Sequence, residues 1–231
     1  MSRRSFKDPV RLKWYEWSPG LDNGQWVLGE VMETMKEAGG AGAGEIPWII
    51  RLLENPTSPL HLPGAINLLR HDAVHILVGR GMQVQDEAFV IGYTMGSDPK
   101  LRNWHISLFK WASKHLYPGP YAFSDQDLVS FELGVREAIR QKPANLPEVA
   151  FEDRMDQTLD DLRRELGINR ARLYAAFRLE RVLVPASKAS WRLDYCRTTD
   201  PSALRPPTGE RSGWEKIKRR RRDKAAKETA S

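Results

Sequence analysis

The stretch Ala65-Ile66-Asn67-Leu68-Leu69-Arg70-His71-Asp72-Ala73-Val74-His75-Ile76-Leu77-Val78-Gly79 reads as a strongly apolar helix closed by a glycine. Residues four apart on a helix stand one above the other, so His71 and His75 present their imidazoles to a single point. Asp72 sits about 100° round the helix from His71. Polar groups in such apolar surroundings either find partners or incur a desolvation cost. The pattern predicts a helix over 63–80, a bend at Gly79 and Gly81, and a second helix, opening near Val84 or Asp86, that carries Glu87.

Outward from this pair of helices, the three- and four-residue spacing of apolar side chains continues in both directions. Upstream it predicts helices over 26–38 and 46–54, separated by the glycine cluster of residues 39–44 and stopped by Asn55 and Pro56. That cluster has no preceding strand and no following Lys-Ser/Thr, so it reads as a loop and not as a phosphate cradle. Downstream, helices are expected over 101–116, 124–141, 151–166 and 169–182, the second of them opened by the capping residue Ser124. No alternating strand pattern of useful length occurs. The expected fold is all-α: a single irregular multi-helix bundle over residues 26–200, flanked by an N-terminal arm (1–25) and a basic, disordered tail (201–231).

The charge belongs to that tail. Of the 36 Lys and Arg and 30 Asp and Glu in the 231-residue chain, residues 203–231 hold ten basic and four acidic side chains, which accounts for the whole net charge of +6. The rest is neutral. The tail composition cannot bury enough apolar surface to fold alone; it reads as a solubilising end, or as a segment drawn to anionic lipid, with contact to nucleic acid phosphate the less expected alternative. The single cysteine, Cys196, excludes a disulfide framework and a Cys-rich zinc finger. No run of about 18 apolar residues is present, and the expectation is a cytoplasmic protein, at most peripheral to the inner membrane.

His71, Asp72, His75 and Glu87 form the candidate metal site. Two imidazoles and two carboxylates suit zinc, with iron or manganese as alternatives, and do not suit calcium or magnesium, which prefer oxygen ligands alone. Mutual pairing with Arg70 or Arg80 is the competing way to satisfy these groups. The aromatic residues Trp104, Phe109, Trp111, Tyr117, Tyr121 and Phe123 read either as core or as the lining of an apolar pocket beside the ion. His105 and His115 have no partner at ligand spacing.

The pattern HDxxH, eleven residues, then E, with Gly79 four residues after the second histidine, resembles the metal motif of the ubiquinone (coenzyme Q) biosynthesis protein family that is fourth in the coenzyme Q series. The resemblance covers residues 70–96 and extends loosely to 134. It implies a mostly helical, membrane-peripheral protein whose ion is held by His71, Asp72, His75 and Glu87. It further implies action on, or organisation of, polyprenylated quinone precursors, either as a lyase in oxidative removal of the ring C1 carboxyl or as a scaffold in a homodimer or biosynthetic complex.

Three other readings compete. A zinc peptidase is disfavoured because Asp72 is one methylene shorter than the glutamate base of His-Glu-x-x-His. An HD-type phosphohydrolase would need further ligands, for which only His61, Asp98 and Asp125 offer themselves. A non-enzymatic, metal-stabilised helical module that binds prenyl lipid or a partner protein is the third.

Overall fold

The computed structural model describes residues 16–38, 62–117, 121–187 and 189–190. Seven α-helices follow in order: α1 (Leu28–Glu37), α2 (Leu68–Val78), α3 (Val84–Ser97), α4 (Asn103–His115), α5 (Asp125–Gln141), α6 (Leu159–Leu166) and α7 (Arg170–Leu183). No strand occurs among the described residues, so the all-α expectation holds. The predicted helix over 46–54, the glycine cluster, His61 and the basic tail lie outside the described residues.

The apolar character of α2 makes it the centre of the bundle. Ala73, Val74, Ile76, Leu77 and Val78 are completely buried, against α1, α3, α6 and the two 3-10 turns at Leu146–Glu148 and Phe151–Asp153. Burying each aliphatic side chain contributes about 1.5–3 kcal/mol. The helix begins at Leu68, five residues later than the sequence predicts. Pro63 and Gly64 turn instead, Gly64 having φ +89 with its Cα held against the backbone of Met95. The Asn67 side chain then accepts the Arg70 amide at 2.9 Å, which is an N-cap. At the other end Gly79 adopts a left-handed conformation (φ 74) and its neighbour Arg80 donates its amide to His75 O at 2.8 Å, closing the helix as a Schellman-type cap. Arg163 of α6 reaches back to the carbonyls of Leu77 and Ile76 at 2.9 and 3.4 Å, so the last carbonyls of α2 are satisfied by a buried guanidinium.

Helices α3 and α5 touch backbone to backbone. A Cβ at Gly92 would lie 2.1 Å from the Phe131 carbonyl oxygen, and one at Gly134 would lie 2.2 Å from that of Phe89. Only glycine permits this approach. Helix α4 closes the far side with an aromatic cluster in which Phe109 stacks on Phe131 (4.7 Å between centroids) and meets Tyr117 and Phe123 edge-on.

One further expectation needs correction. The helix predicted over 151–166 is broken: a 3-10 turn at Phe151–Asp153 is followed by a loop, and α6 starts only after Thr158, whose side chain accepts the Asp161 amide. The loop is held by α1, whose first amides donate to Gln157 O (3.0 Å) and Met155 O (2.8 Å). The N-terminal arm also contributes to the core, because Trp17 and Leu21 are buried and the Trp17 indole donates to Thr34 at 3.0 Å.

Candidate metal centre

Helix α2 supplies His71 and His75 from consecutive turns of one face, and their rings converge at 4.7 Å between centroids with a 60° tilt. Glu87 comes from the first turn of α3, where the positive end of the helix dipole favours a carboxylate. The three donor atoms form a nearly equilateral triangle. His71 Nε2 lies 2.9 Å from Glu87 Oε2 and 2.9 Å from His75 Nε2, and His75 Nε2 lies 3.2 Å from Glu87 Oε2.

Hydrogen bonding alone is a poor account of this triangle. A proton points along one edge only, and two ring nitrogens that both face one oxygen at such angles satisfy linear geometry badly. Ligand atoms about 2.0–2.2 Å from one ion stand roughly 2.8–3.1 Å apart at the corners of an octahedron and about 3.3–3.6 Å apart in a tetrahedron. The observed edges, 2.9, 2.9 and 3.2 Å, lie nearest the octahedral spacing. Two imidazoles and one carboxylate are moreover a donor set used by both zinc and non-haem iron sites. His71, His75 and Glu87 are therefore a group that can hold a metal ion.

Burial and charge point the same way. His75 is fully buried, while the side chains of His71 and Glu87 are 16% and 34% exposed, so the site opens to one side through these two residues. Burial opposes ionisation of Glu87, but the charge of His75 and the hydrogen bonds from both imidazoles outweigh it and hold the carboxyl well below its usual range. The Nδ1 of His75 is buried with no hydrogen-bond partner, so the ring is oriented by packing and by what its Nε2 faces.

Asp72, the fourth predicted ligand, stands beside the triangle and not within it. Its carboxyl is raised above the usual value by burial, with Glu87 adding to the rise while His71, His75 and Lys36 oppose it. A carboxylate so placed can tune the ligands electrostatically. The arginines offered as alternative partners are engaged elsewhere. Arg70 pairs with Glu152 (3.0 Å) and with Pro147 O (2.9 Å). Arg80 is completely buried in an ion pair with Glu180 of α7, its guanidinium between the rings of Phe89 and Phe177 at 3.8 and 4.2 Å. Neither arginine is left to neutralise Glu87.

Sequence reading missed this second polar centre. Glu180 also accepts from Ser130 at 2.7 Å and from Gln85, and Gln85 in turn donates to Ser190 at 2.8 Å. The hub ties the turn before α3 to α5, α7 and the segment after it, and thereby fixes where α3 presents Glu87. No local signal marks a pair one hundred residues apart.

The aromatic residues divide. Phe109, Tyr117 and Phe123 are core, whereas Trp104 and Trp111 are 61% and 53% exposed. Phe109 also borders a hollow of about 40 Å³ beside His71, shared with Leu62, Ile66, Ile91 and Met95. Comparison with known protein families, with curated proteins and with solved structures found no match for this chain.

Proposed function

We propose that this is a divalent-metal protein of the ubiquinone-biosynthesis type, acting on or organising polyprenylated quinone precursors. The observation that carries the metal reading is the triangle of His71 Nε2, His75 Nε2 and Glu87 Oε2, with edges of 2.9, 2.9 and 3.2 Å. The motif that these residues spell, His71-Asp72-x-x-His75 followed by Glu87, supports the quinone assignment, and the lining of the small hollow beside His71, with Leu62, Ile66, Ile91 and Met95, gives that side of the site an apolar border.

Zinc is the first ion to test, then iron and manganese. When bound, any of the three would supply Lewis acidity toward a ring carboxylate or phenol oxygen; oxidative removal of the C1 carboxyl would need an external two-electron oxidant such as dioxygen as well, which iron or manganese, and not zinc, would serve to activate. His75, fully buried, anchors the donor set. His71 and Glu87 face the open side, where a substrate oxygen approaches. Asp72, with its raised carboxyl, is placed to hold or release a proton next to that opening.

The test is elemental analysis of the purified protein beside a His71→Ala/His75→Ala variant. Near one equivalent of zinc, iron or manganese, lost in the variant, is the expected result; no ion in either protein ends the metal reading. Rescue of a strain lacking the quinone-pathway protein tests the second half, with Glu87→Ala expected to abolish rescue.

A second reading, a non-enzymatic helical module on a lipid surface, is favoured by one observation. Trp104, Leu108 and Trp111 lie exposed along α4, with exposed Leu116 just past its end, and tryptophan is at home at a membrane interface. No described helix is long and apolar enough to cross a membrane. Sedimentation with anionic vesicles, lost in Trp104→Ala/Trp111→Ala, is the expected outcome for this module.

A further inference from the structure

Where the α3 and α5 pair ends, the chain leaves an open hollow of about 450 Å³, within the roughly 300–1,000 Å³ that small ligands occupy. None of His71, His75 and Glu87 lines it. Leu101, Ile106, Ala138 and Ile139 give it an apolar wall, and Ile139 is 51% exposed there. Two cations, Arg102 and Lys142, border this wall. The carboxylate in the lining, Asp98, is already occupied by backbone amides, with Oδ2 accepting from Gly64 (3.1 Å) and Oδ1 from Lys100 (2.8 Å). Asn103 opens α4 at the same place, so the positive end of that helix adds to the field.

Two details separate this hollow from an ordinary crevice. Lys142 caps α5 in a left-handed conformation, φ 53 and ψ 55, and is the one non-glycine with positive φ among the described residues. The other two left-handed helix caps are Gly79 and Gly167. A side chain is thus kept at a position where glycine would relieve strain. The cap bond itself, Lys142 N–H to Ala138 O at 2.8 Å, makes no use of that side chain. The second detail is Asn145, a lining residue whose Oδ1 has no hydrogen-bond partner and is closed off from solvent, a costly arrangement that a turn of the amide toward a donor in the hollow would relieve.

We propose that this hollow binds a small amphipathic organic anion that carries a hydroxyl or N–H donor beside its charge. Lys142 and Arg102 receive the anionic group. The Arg102 guanidinium is steadied by Nη1 bonds to the carbonyls of Pro99 (3.0 Å) and Leu101 (2.8 Å), which leaves the N–H groups of Nη2 and Nε to meet the anion. Asn145 Oδ1 accepts from the ligand's donor, and Ile106 and Ile139 cover its apolar body. The site is independent of the metal reading.

The experiment is calorimetric titration of the full chain at low salt with 2-hydroxyoctanoate, which has the charge, the donor and the tail, and with octanoate, which lacks the donor. Saturable one-to-one binding of the hydroxy acid, several-fold tighter than octanoate, is expected. Lys142→Gly is expected to weaken it about tenfold, the scale of one charged hydrogen bond, with the thermal midpoint unchanged or raised because strain is relieved. Asn145→Ala is expected to erase the preference for the hydroxy acid. Absence of saturable heat at millimolar probe, undiminished binding by Lys142→Gly, or an unchanged preference in Asn145→Ala would each overturn the proposal. Binding that disappears with chelator would also overturn it, since the probe would then sit on the metal, whereas binding unaffected by chelator supports it.

Discussion

Gly134→Ala puts two effects of opposite sign against each other. Helix propensity alone predicts a gain of about 0.8–1.0 kcal/mol, since alanine replaces glycine inside α5. The packing says otherwise. The new Cβ would stand 2.2 Å from the Phe89 carbonyl oxygen and 2.8 Å from the Tyr93 amide nitrogen. Ordinary contact is near 3.4 Å, so the two helices must separate by roughly 1.2 Å. The obstacle is helical backbone, which cannot swing aside as a side-chain end would, so the overpacking cost falls at the upper end of the usual range, about 3 kcal/mol. The net loss is about 2 kcal/mol, or a fall of roughly 4–8 °C in thermal midpoint for a chain of this size. Circular dichroism melting with metal content held fixed reads it directly. Because α3 carries Glu87, metal affinity should fall in the same variant, as ligand sets tolerate only about 0.5 Å of displacement. An unchanged or raised midpoint would show that the close approach of α3 and α5 is not what the glycines serve.

Chelation should lower the midpoint of the wild-type protein by roughly 5–10 °C if the ion is present at about a hundred times its dissociation constant, and should leave that of His75→Ala unmoved; differential scanning calorimetry distinguishes the two. Asp72 gives a pH-dependent test. Its folded value lies above the usual 3.8 because it is buried, so the folded state binds this proton more tightly, and stability falls as the pH rises through that window. Metal-free Asp72→Asn should thus be more stable than wild type at pH 7, with the gain shrinking as the pH is lowered toward 3.8; urea midpoints across pH record it, and a constant difference would refute it. Glu180→Ala leaves the buried Arg80 with only the more distant Asp86 carboxylate at 3.8 Å and should cost about 3 kcal/mol, the lower end for breaking a buried pair, read as a shift in denaturant midpoint, while Glu165→Ala, at an exposed ion pair with Arg154, should change stability by less than about 1 kcal/mol.

The candidate ligand group of His71, His75 and Glu87 was legible because it falls within residues 71–87, where helical spacing alone brings two histidines together and a glycine turn returns the chain. What spacing could not decide was whether Asp72 joins them. That depends on how α2 is rotated against α3, which is set by the buried faces of Val74, Ile76 and Val78. The break at residues 154–158 was equally hidden. The amphipathic pattern runs through it, but the open amides at the start of α1 compete for the carbonyls of Met155 and Gln157, and their distance in sequence conceals the competition. Thr158 and Asn67 were readable as caps in retrospect, since each stands directly before a helix that its side chain closes.

Sequence separation also fixes an order of assembly. His71 and Glu87 are sixteen residues apart, so closing the ligand triangle confines only a short loop, whose entropy cost is small. The Arg80–Glu180 pair spans one hundred residues and needs almost the whole bundle in place. During synthesis the α2–α3 hairpin leaves the ribosome long before α7 exists, and a nascent chain can engage its ion while the polar hub is still open. Metal supply would then act on the yield of folded protein, and a cell starved of the ion would lose the protein itself and not only its activity.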